Sequence, residues 1–354
     1  MVQPPSTPFL QVDVGRLEAN LARTAAAAAD AGVALRPHAK THKCPEIARR
    51  QLELGAVGLT VATLGEAEVF VEHGCTDVFV AYPVWLDDDR AHRLRTLTER
   101  ATVAVGVDSA SSAARLGALV PGLAVLVEVD SGQHRTGVPP VEAGDVAAVA
   151  RAAALDVRGV FTFPGHGYAP DGRDSAARDE AAALSVAADS LRARDIEPRV
   201  LSGGSTPTLE ASLATGVPTE LRPGVYALND AQQWELGSAV AEMLAITCEA
   251  TVVSHAGGRV VLDAGGKALA ADRAAYNTGY GRLLDFPDAR VVLLSEHHAV
   301  VDGLPRESGP PPLGSRVRVV PNHVCAAVNL ADTLWADTGD ELVPWAVAAR
   351  GRNT

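Results

Sequence analysis

GLTVATLGEAEVFVEHGCTDVFVA (residues 58–81) holds one full turn of the pattern that decides the fold. Its two ends, residues 58–62 and 77–81, are short, apolar and rich in β-branched side chains, as buried strands are. The stretch between them, residues 64–73, is amphipathic and reads as a helix. The same alternation runs outward in both directions. Further strands are expected at residues 33–37, 102–107, 124–129, 159–163, 199–202 and 220–223, with helices at 44–54, 87–99 and 175–194. Strand and helix alternating about eight times predicts an α/β fold, a (β/α)8 TIM-type barrel. A doubly wound open sheet is the competing arrangement. No GxGxxG follows an early strand, which weighs against its dinucleotide-binding form.

The pattern changes near Gln232. From Met243 onward the runs are strand-like and broken by turns, at residues 244–253, 259–263, 289–294, 299–302, 316–320 and 333–336. Gly257-Gly258 and Gly265-Gly266 read as turns, and Pro310-Pro311-Pro312 as a surface loop. The expected organisation is a barrel over residues 13–235 and a smaller all-β domain over 236–354. Residues 1–12 are expected to return to that second domain, because FLQVD (residues 9–13) alternates like a strand.

The 354 residues carry a formal net charge of -12, with 47% hydrophobic and 21% charged residues. That balance suits a globular chain and argues against nucleic acid as a partner. No uncharged apolar run reaches the length of a membrane span, and the start lacks the basic and apolar regions of a signal peptide. Cys44, Cys75, Cys248 and Cys325 form no CxxC pair. They are expected as reduced thiols in a cytoplasmic protein.

RPHAKTHK (residues 36–43) places Lys40 just after the first barrel strand, at the end where such barrels build active sites. Arg36, His38, His42 and Lys43 crowd it with cationic groups, which lowers a lysine pKa and suits Schiff-base chemistry. The plainer reading is a basic loop that binds phosphate or faces solvent. Other strand ends offer complementary groups. SGGSTPT (202–208) is a turn that can present N–H groups and hydroxyls to a phosphate. ELRPGVY (220–226) brings Arg222 and Tyr226, DSGQHRTG (130–137) brings Arg135, and PGHGY (164–168) brings His166 and Tyr168. All are expected at one mouth of the barrel.

NHVC (residues 322–325) is a candidate metal site. If it is strand, His323 and Cys325 share a face and can ligate one ion. Nitrogen plus thiolate favours zinc. The plainer reading is a buried cysteine beside a solvated histidine. SEHH (295–298) offers a further partner, with His297 and His298 on opposite faces of a strand.

Together these motifs resemble the D-serine dehydratase and D-threonine aldolase family of fold-type III pyridoxal enzymes. The resemblance spans nearly the whole chain and is most specific at PHAKTHK and PNHVCA. It implies that Lys40 holds pyridoxal 5′-phosphate, that His323 and Cys325 bind a metal, and that Gly203, Gly204, Ser205 and Thr206 cradle the phosphate. Arg135 and Tyr168 match ring contacts. His38, His166, Arg222 and Tyr226 complete the expected cofactor set. His42 matches a histidine near the substrate hydroxyl. Cys325 favours zinc and the dehydratase branch, while manganese or magnesium would accompany an aldolase. The glutamate-glutamate-histidine-glycine segment usual in the family stands here as Glu296-His297-His298-Ala299. The implied activity removes the β-hydroxyl of a D-amino acid such as D-serine, giving a 2-oxo acid and ammonia. The alternatives are a metal-dependent aldolase acting on 3-hydroxy-D-amino acids, a metal-free racemase using Tyr276 or Tyr280, and a non-enzymatic carrier. The family also implies a homodimer acting on a small molecule.

Overall fold

The computed structural model describes residues 5–305 and 309–354. Part of the N-terminal segment 1–12, residues 1–4, lies outside the described residues. The chain opens with strand β1 (Phe9–Asp13) and helix α1 (Val14–Asp30). Eight parallel strands follow: β2 (Ala34–Leu35), β3 (Leu59–Val61), β4 (Asp77–Pro83), β5 (Thr102–Val107), β6 (Ala124–Glu128), β7 (Asp156–Phe161), β8 (Val200–Gly203) and β9 (Glu220–Leu221). Helices α2 (Pro45–Glu53), α3 (Leu64–Glu72), α4 (Asp88–Thr98), α5 (Ala110–Leu119), α6 (Ala143–Ala152), α7 (Arg173–Arg192) and α8 (Leu209–Thr215) connect them.

The sheet runs β2-β9-β8-β7-β6-β5-β4-β3. The expected strand at 33–37 is only two residues long, because Pro37 has no N–H to continue the ladder. The backbone beyond it still pairs. Thr60 N–H donates to Pro37 O at 2.8 Å, and Ala39 N–H donates to Thr60 O at 2.8 Å. These bonds join the two ends of the curled sheet into a barrel. Inside it, Phe79 and Phe161 meet edge to face with centroids 5.0 Å apart. Gly106 makes that possible, since a Cβ there would stand 2.7 Å from the Phe161 ring.

The quoted strand–helix–strand repeat shows why its helix starts where it does. Thr63 Oγ1 accepts from Glu66 N–H at 3.1 Å, and the Glu66 carboxylate accepts from Ala62 N–H at 2.7 Å. The orphan Glu66 amide in the first turn of α3 and the Ala62 amide just before its N-cap are thereby satisfied.

After the short helix α9 (Ala231–Glu235) comes a mainly antiparallel sheet. Its strands are β10 (Ile246–Ser254), β11 (Val260–Leu262), β12 (Gly281–Leu283), β13 (Arg290–Leu294), β14 (Ala299–Asp302), β15 (Arg316–Pro321), β16 (Thr333–Asp337) and β17 (Leu342–Ala346), with helices α10 (Gly266–Leu269) and α11 (Val324–Leu330) inserted. The order is β11-β14-β13-β12-β15-β10-β1-β16-β17, and β11 also pairs with β10, which gives the sheet its barrel-like closure. The alternating FLQVD segment does return here. It lies antiparallel to β10 and parallel to β16.

By contact, one compact unit gathers residues up to Arg23, Thr41–Glu46 and Val225–Gly351. The other gathers Thr24–Lys40, Ile47–Gly224 and Arg352–Thr354. Lys40 is therefore the last barrel residue before the chain enters the β unit, and His42 belongs to the β unit. Among the described residues no helix is long and apolar enough to cross a membrane.

Two local expectations are corrected. His323 and Cys325 do not share a strand. β15 ends at Pro321, His323 caps α11, and Cys325 sits in its first turn. The switch occurs because Asp230 captures the Val324 N–H at 3.0 Å and starts the helix there. His297 and His298 lie in the turn between β13 and β14, not in a strand. Gly265 presses against that turn, where a Cβ would come within 2.4 Å of the Glu296–His297 backbone.

Candidate active site

A cavity of about 290 Å³ opens at the barrel mouth, lined by His38, Lys40, Glu128, Arg135, Phe163 and Arg222 among others. Lys40 Nζ and Arg135 Cζ stand 5.8 and 5.4 Å from the centroid of the Phe163 ring. Arg222 is fully buried between Phe79 and Phe161. It donates to Ser202 Oγ at 2.8 Å and to Thr162 O. Burial lowers its pKa, and Glu220, Glu180 and Glu128 oppose that fall. Glu128 reaches the same cavity. Burial raises its pKa, against Thr136, which donates to one carboxylate oxygen at 2.8 Å, and against Arg135. Its other oxygen is buried with no hydrogen-bond partner among the described residues.

Three of the groups expected to crowd Lys40 have partners of their own. Arg36 turns away to Glu220 and Asp77, at 2.7 Å each. Burial works to lower its pKa, but the two carboxylates raise it on balance. Lys43 donates to Asn329 at 2.8 Å. His42 is buried, and its Nδ1 accepts from Cys44 N–H at 3.1 Å. The chain has only three lysines, Lys40, Lys43 and Lys267, and Lys267 pairs with Glu296 at 3.3 Å. Lys40 alone lines the barrel cavity.

The phosphate-cradle residues and the His166–Tyr168 segment do not line that cavity. They adjoin each other at the ends of β7 and β8. A Cβ on Gly167 would meet Thr208 at 2.6 Å. Gly204 takes a left-handed φ of +79°, and a Cβ there would stand 2.7 Å from Leu221. The Gly204 N–H donates to Glu180, and Ser205 N–H to Thr208 Oγ1 at 3.1 Å. Ser205 Oγ and Thr208 Oγ1 lie 2.9 Å apart. The turn is thus closed, side-chain-free at its apex and rich in hydroxyls, which suits a phosphate. Glu180 buttresses it from behind, its pKa raised by burial and held down by Ser212 and the Gly204 amide. His166 Nε2 contacts Asp179 at 3.1 Å. Tyr226 is buried in a 3₁₀ turn, Val225–Ala227, of the β unit.

In the β unit, His323 and Cys325 do converge, and their side chains are within hydrogen-bond reach of each other. His323 Nδ1 is in short contact with the Asp272 carboxylate. Burial pushes the His323 pKa down, but Asp272 and Cys325 raise it on balance to about 11. Cys325 Sγ lies 3.3 Å from Thr41 Oγ1, the residue after Lys40. Burial pushes the Asp230 carboxyl up to about 6, against His323 and the Gln233 and Val324 amides. One imidazole and one thiol facing each other fit a zinc ion with positions left for other ligands. Among the described residues no three His, Cys, Asp or Glu side chains are grouped to hold a metal, so neither His297 nor His298 completes a set. Tyr276 fits poorly as a racemase base, since burial raises its pKa and its buried hydroxyl has no partner among the described residues. Asp272, Asp230, Glu128 and Glu180 were not singled out from sequence.

The profile described as "Alanine racemase, N-terminal domain" matches residues 12–231, and that described as "Putative serine dehydratase domain" matches residues 245–336. The D-threo-3-hydroxyaspartate dehydratase of Delftia sp. (strain HT23) is 34% identical over 351 residues, covering 90% of this chain and 91% of that one. The D-threonine aldolase of an Arthrobacter species is 36% identical over 363 residues, covering 98% and 93%. The chain belongs to the D-serine dehydratase and D-threonine aldolase family. It is a fold-type III pyridoxal-phosphate enzyme. Among solved members of the family, D-threonine aldolase from Filomicrobium marinum superposes with a TM-score of 0.87 at 32% identity, covering 99% of this chain and 96% of that one. The Delftia dehydratase superposes at 0.88 with 30% identity and 97% of each chain. Solved forms of such a dehydratase include a metal-free cysteine-to-alanine mutant and a mutant with a histidine replaced two residues earlier. His323 and Cys325 have the same spacing.

Proposed function

We propose that the chain is a pyridoxal-phosphate- and zinc-dependent lyase that removes the β-hydroxyl of a 3-hydroxy-D-amino acid, such as D-serine, to give a 2-oxo acid and ammonia. The observation that carries this reading is the convergence of His323 and Cys325, with Cys325 against the residue that follows Lys40. Within it, Lys40 holds the cofactor, Arg135 binds one of its oxygens, and the Gly203–Thr206 turn, backed by Glu180, takes its phosphate. The cofactor, when bound, supplies an electron sink for charge left at the substrate Cα. Lys40 Nζ then accepts the Cα proton. His323 and Cys325 would hold the zinc, which would supply a Lewis acid for the substrate hydroxyl. The Cβ–O bond breaks, and addition of water yields the 2-oxo acid and ammonia. His42, pinned to the Cys44 amide, has its ring direction fixed by the loop that follows Lys40.

A second reading has support of its own, because the Arthrobacter D-threonine aldolase is 36% identical over 98% of this chain. In that case the Cα–Cβ bond breaks, giving glycine and an aldehyde. Incubation with D-serine, D-threonine and D-threo-3-hydroxyaspartate separates the two. A 2-oxo acid with stoichiometric ammonia is expected. Glycine with an aldehyde, and no 2-oxo acid, contradicts dehydration. The proposal also takes the protein as a cytoplasmic homodimer. Four free cysteines fit a reducing compartment.

A further inference from the structure

His323 offers two ring nitrogens, and the fold commits one of them. Nδ1 faces the carboxylate of Asp272, on the segment that follows α10. Ala270, two residues earlier, takes a left-handed φ of +61°, so the chain turns sharply just before Asp272. The backbone on the far side is clamped as well. Asp230 accepts from Val324 N–H at 3.0 Å and from Gln233 N–H at 2.9 Å. Asn322 donates its side-chain amide to Gly279 O at 2.7 Å, and its carbonyl accepts from Gln232 N–H at 3.1 Å. Residues 322–324 are thus held from both sides, which leaves the His323 ring direction to Asp272.

Asp272 is not itself placed as a ligand. No three acidic, histidine or cysteine side chains among the described residues are grouped to hold one ion. A histidine that ligates metal through one nitrogen generally donates its other N–H to a carboxylate, which fixes tautomer and orientation.

We propose that Asp272 is the positioning residue of the metal site: its carboxylate holds the proton on His323 Nδ1 and aims Nε2, with Cys325, at the ion. This rests on the reading of His323 and Cys325 as the metal pair. Asp272 is exposed, so its replacement leaves the core intact. The test is zinc affinity of the purified holoenzyme by chelator competition, for wild type, Asp272→Ala, Asp272→Asn and His323→Ala. Asp272→Ala is expected to bind zinc roughly 10–100-fold more weakly, with Tm and the visible cofactor band unchanged. Asp272→Asn, which keeps an acceptor but loses the charge, is expected to recover part of that loss. Nitrogen-15 spectra of labelled histidine in the zinc-loaded wild type are expected to show His323 protonated at Nδ1, a signal that Asp272→Ala loses to solvent exchange. Affinity of Asp272→Ala within about twofold of wild type, with His323→Ala still losing zinc, overturns the role of Asp272 alone. Coordination through Nδ1 overturns it as well. Zinc binding unchanged in His323→Ala overturns the metal pair and this inference together.

Discussion

A metal ion entering the site through His323 Nε2 has to displace the proton on that nitrogen, while Asp272 keeps the one on Nδ1. The pKa of His323 is raised from 6.5 to about 11. The stabilisation from the charged imidazole is complete below about pH 6.5 and is lost as pH rises toward 11. Metal competes with the same proton, so apparent zinc affinity is expected to climb by up to about tenfold per pH unit between pH 7 and 9. Chelator competition at several pH values checks this, and a flat profile contradicts it. At the same scale, Cys325→Ala removes the thiolate and is expected to abolish zinc retention while leaving the cofactor on Lys40. Metal analysis beside the visible spectrum measures both. At the residue scale the sequence exposed Lys40, His323 and Cys325 through motif and spacing. It did not expose Asp272, Asp230, Glu128 or Glu180, because a carboxylate that acts on a residue tens of positions away has no local pattern. Nor does anything near Arg36 in sequence announce Glu220 and Asp77 as its partners.

The elements were legible where period and caps agree. The α3 segment was read as 64–73 and observed as Leu64–Glu72, because Thr63 and Glu66 mark its start by chemistry as well as period. Thr63→Ala is expected to cost about 1 kcal/mol of stability, read as a fall in Tm or denaturant midpoint, without change in zinc affinity. An unchanged midpoint would show that the cap is redundant. The NHVC segment was less legible. It follows a true strand, but the Asp230 carboxylate meets the Val324 amide and turns the chain into a helix. Such a capture depends on tertiary approach, which alternation along the sequence does not record. The short β2 shows the reverse. Pro37 interrupts the ladder, yet neighbouring amides still close the barrel.

At the scale of the molecule, alternating strands and helices revealed the barrel, and the loss of that alternation near Gln232 revealed the β unit. The return of Phe9–Asp13 to that unit followed from its alternation, and the structure gives it a specific place. β1 is the strand that joins β16 and β17 to β10. Deleting residues 1–13 is therefore expected to speed hydrogen exchange across residues 333–346, with the barrel strands keeping their protection. Unchanged exchange there would show that β16 and β17 hold without β1. The most direct test of the account concerns the attachment of the cofactor. The chain has three lysines, and only Lys40 lines the barrel cavity. Borohydride reduction of the holoenzyme followed by peptide mass mapping is predicted to find the pyridoxyl group on Lys40 alone. Its appearance on Lys43 or Lys267, or on no lysine, would contradict the account.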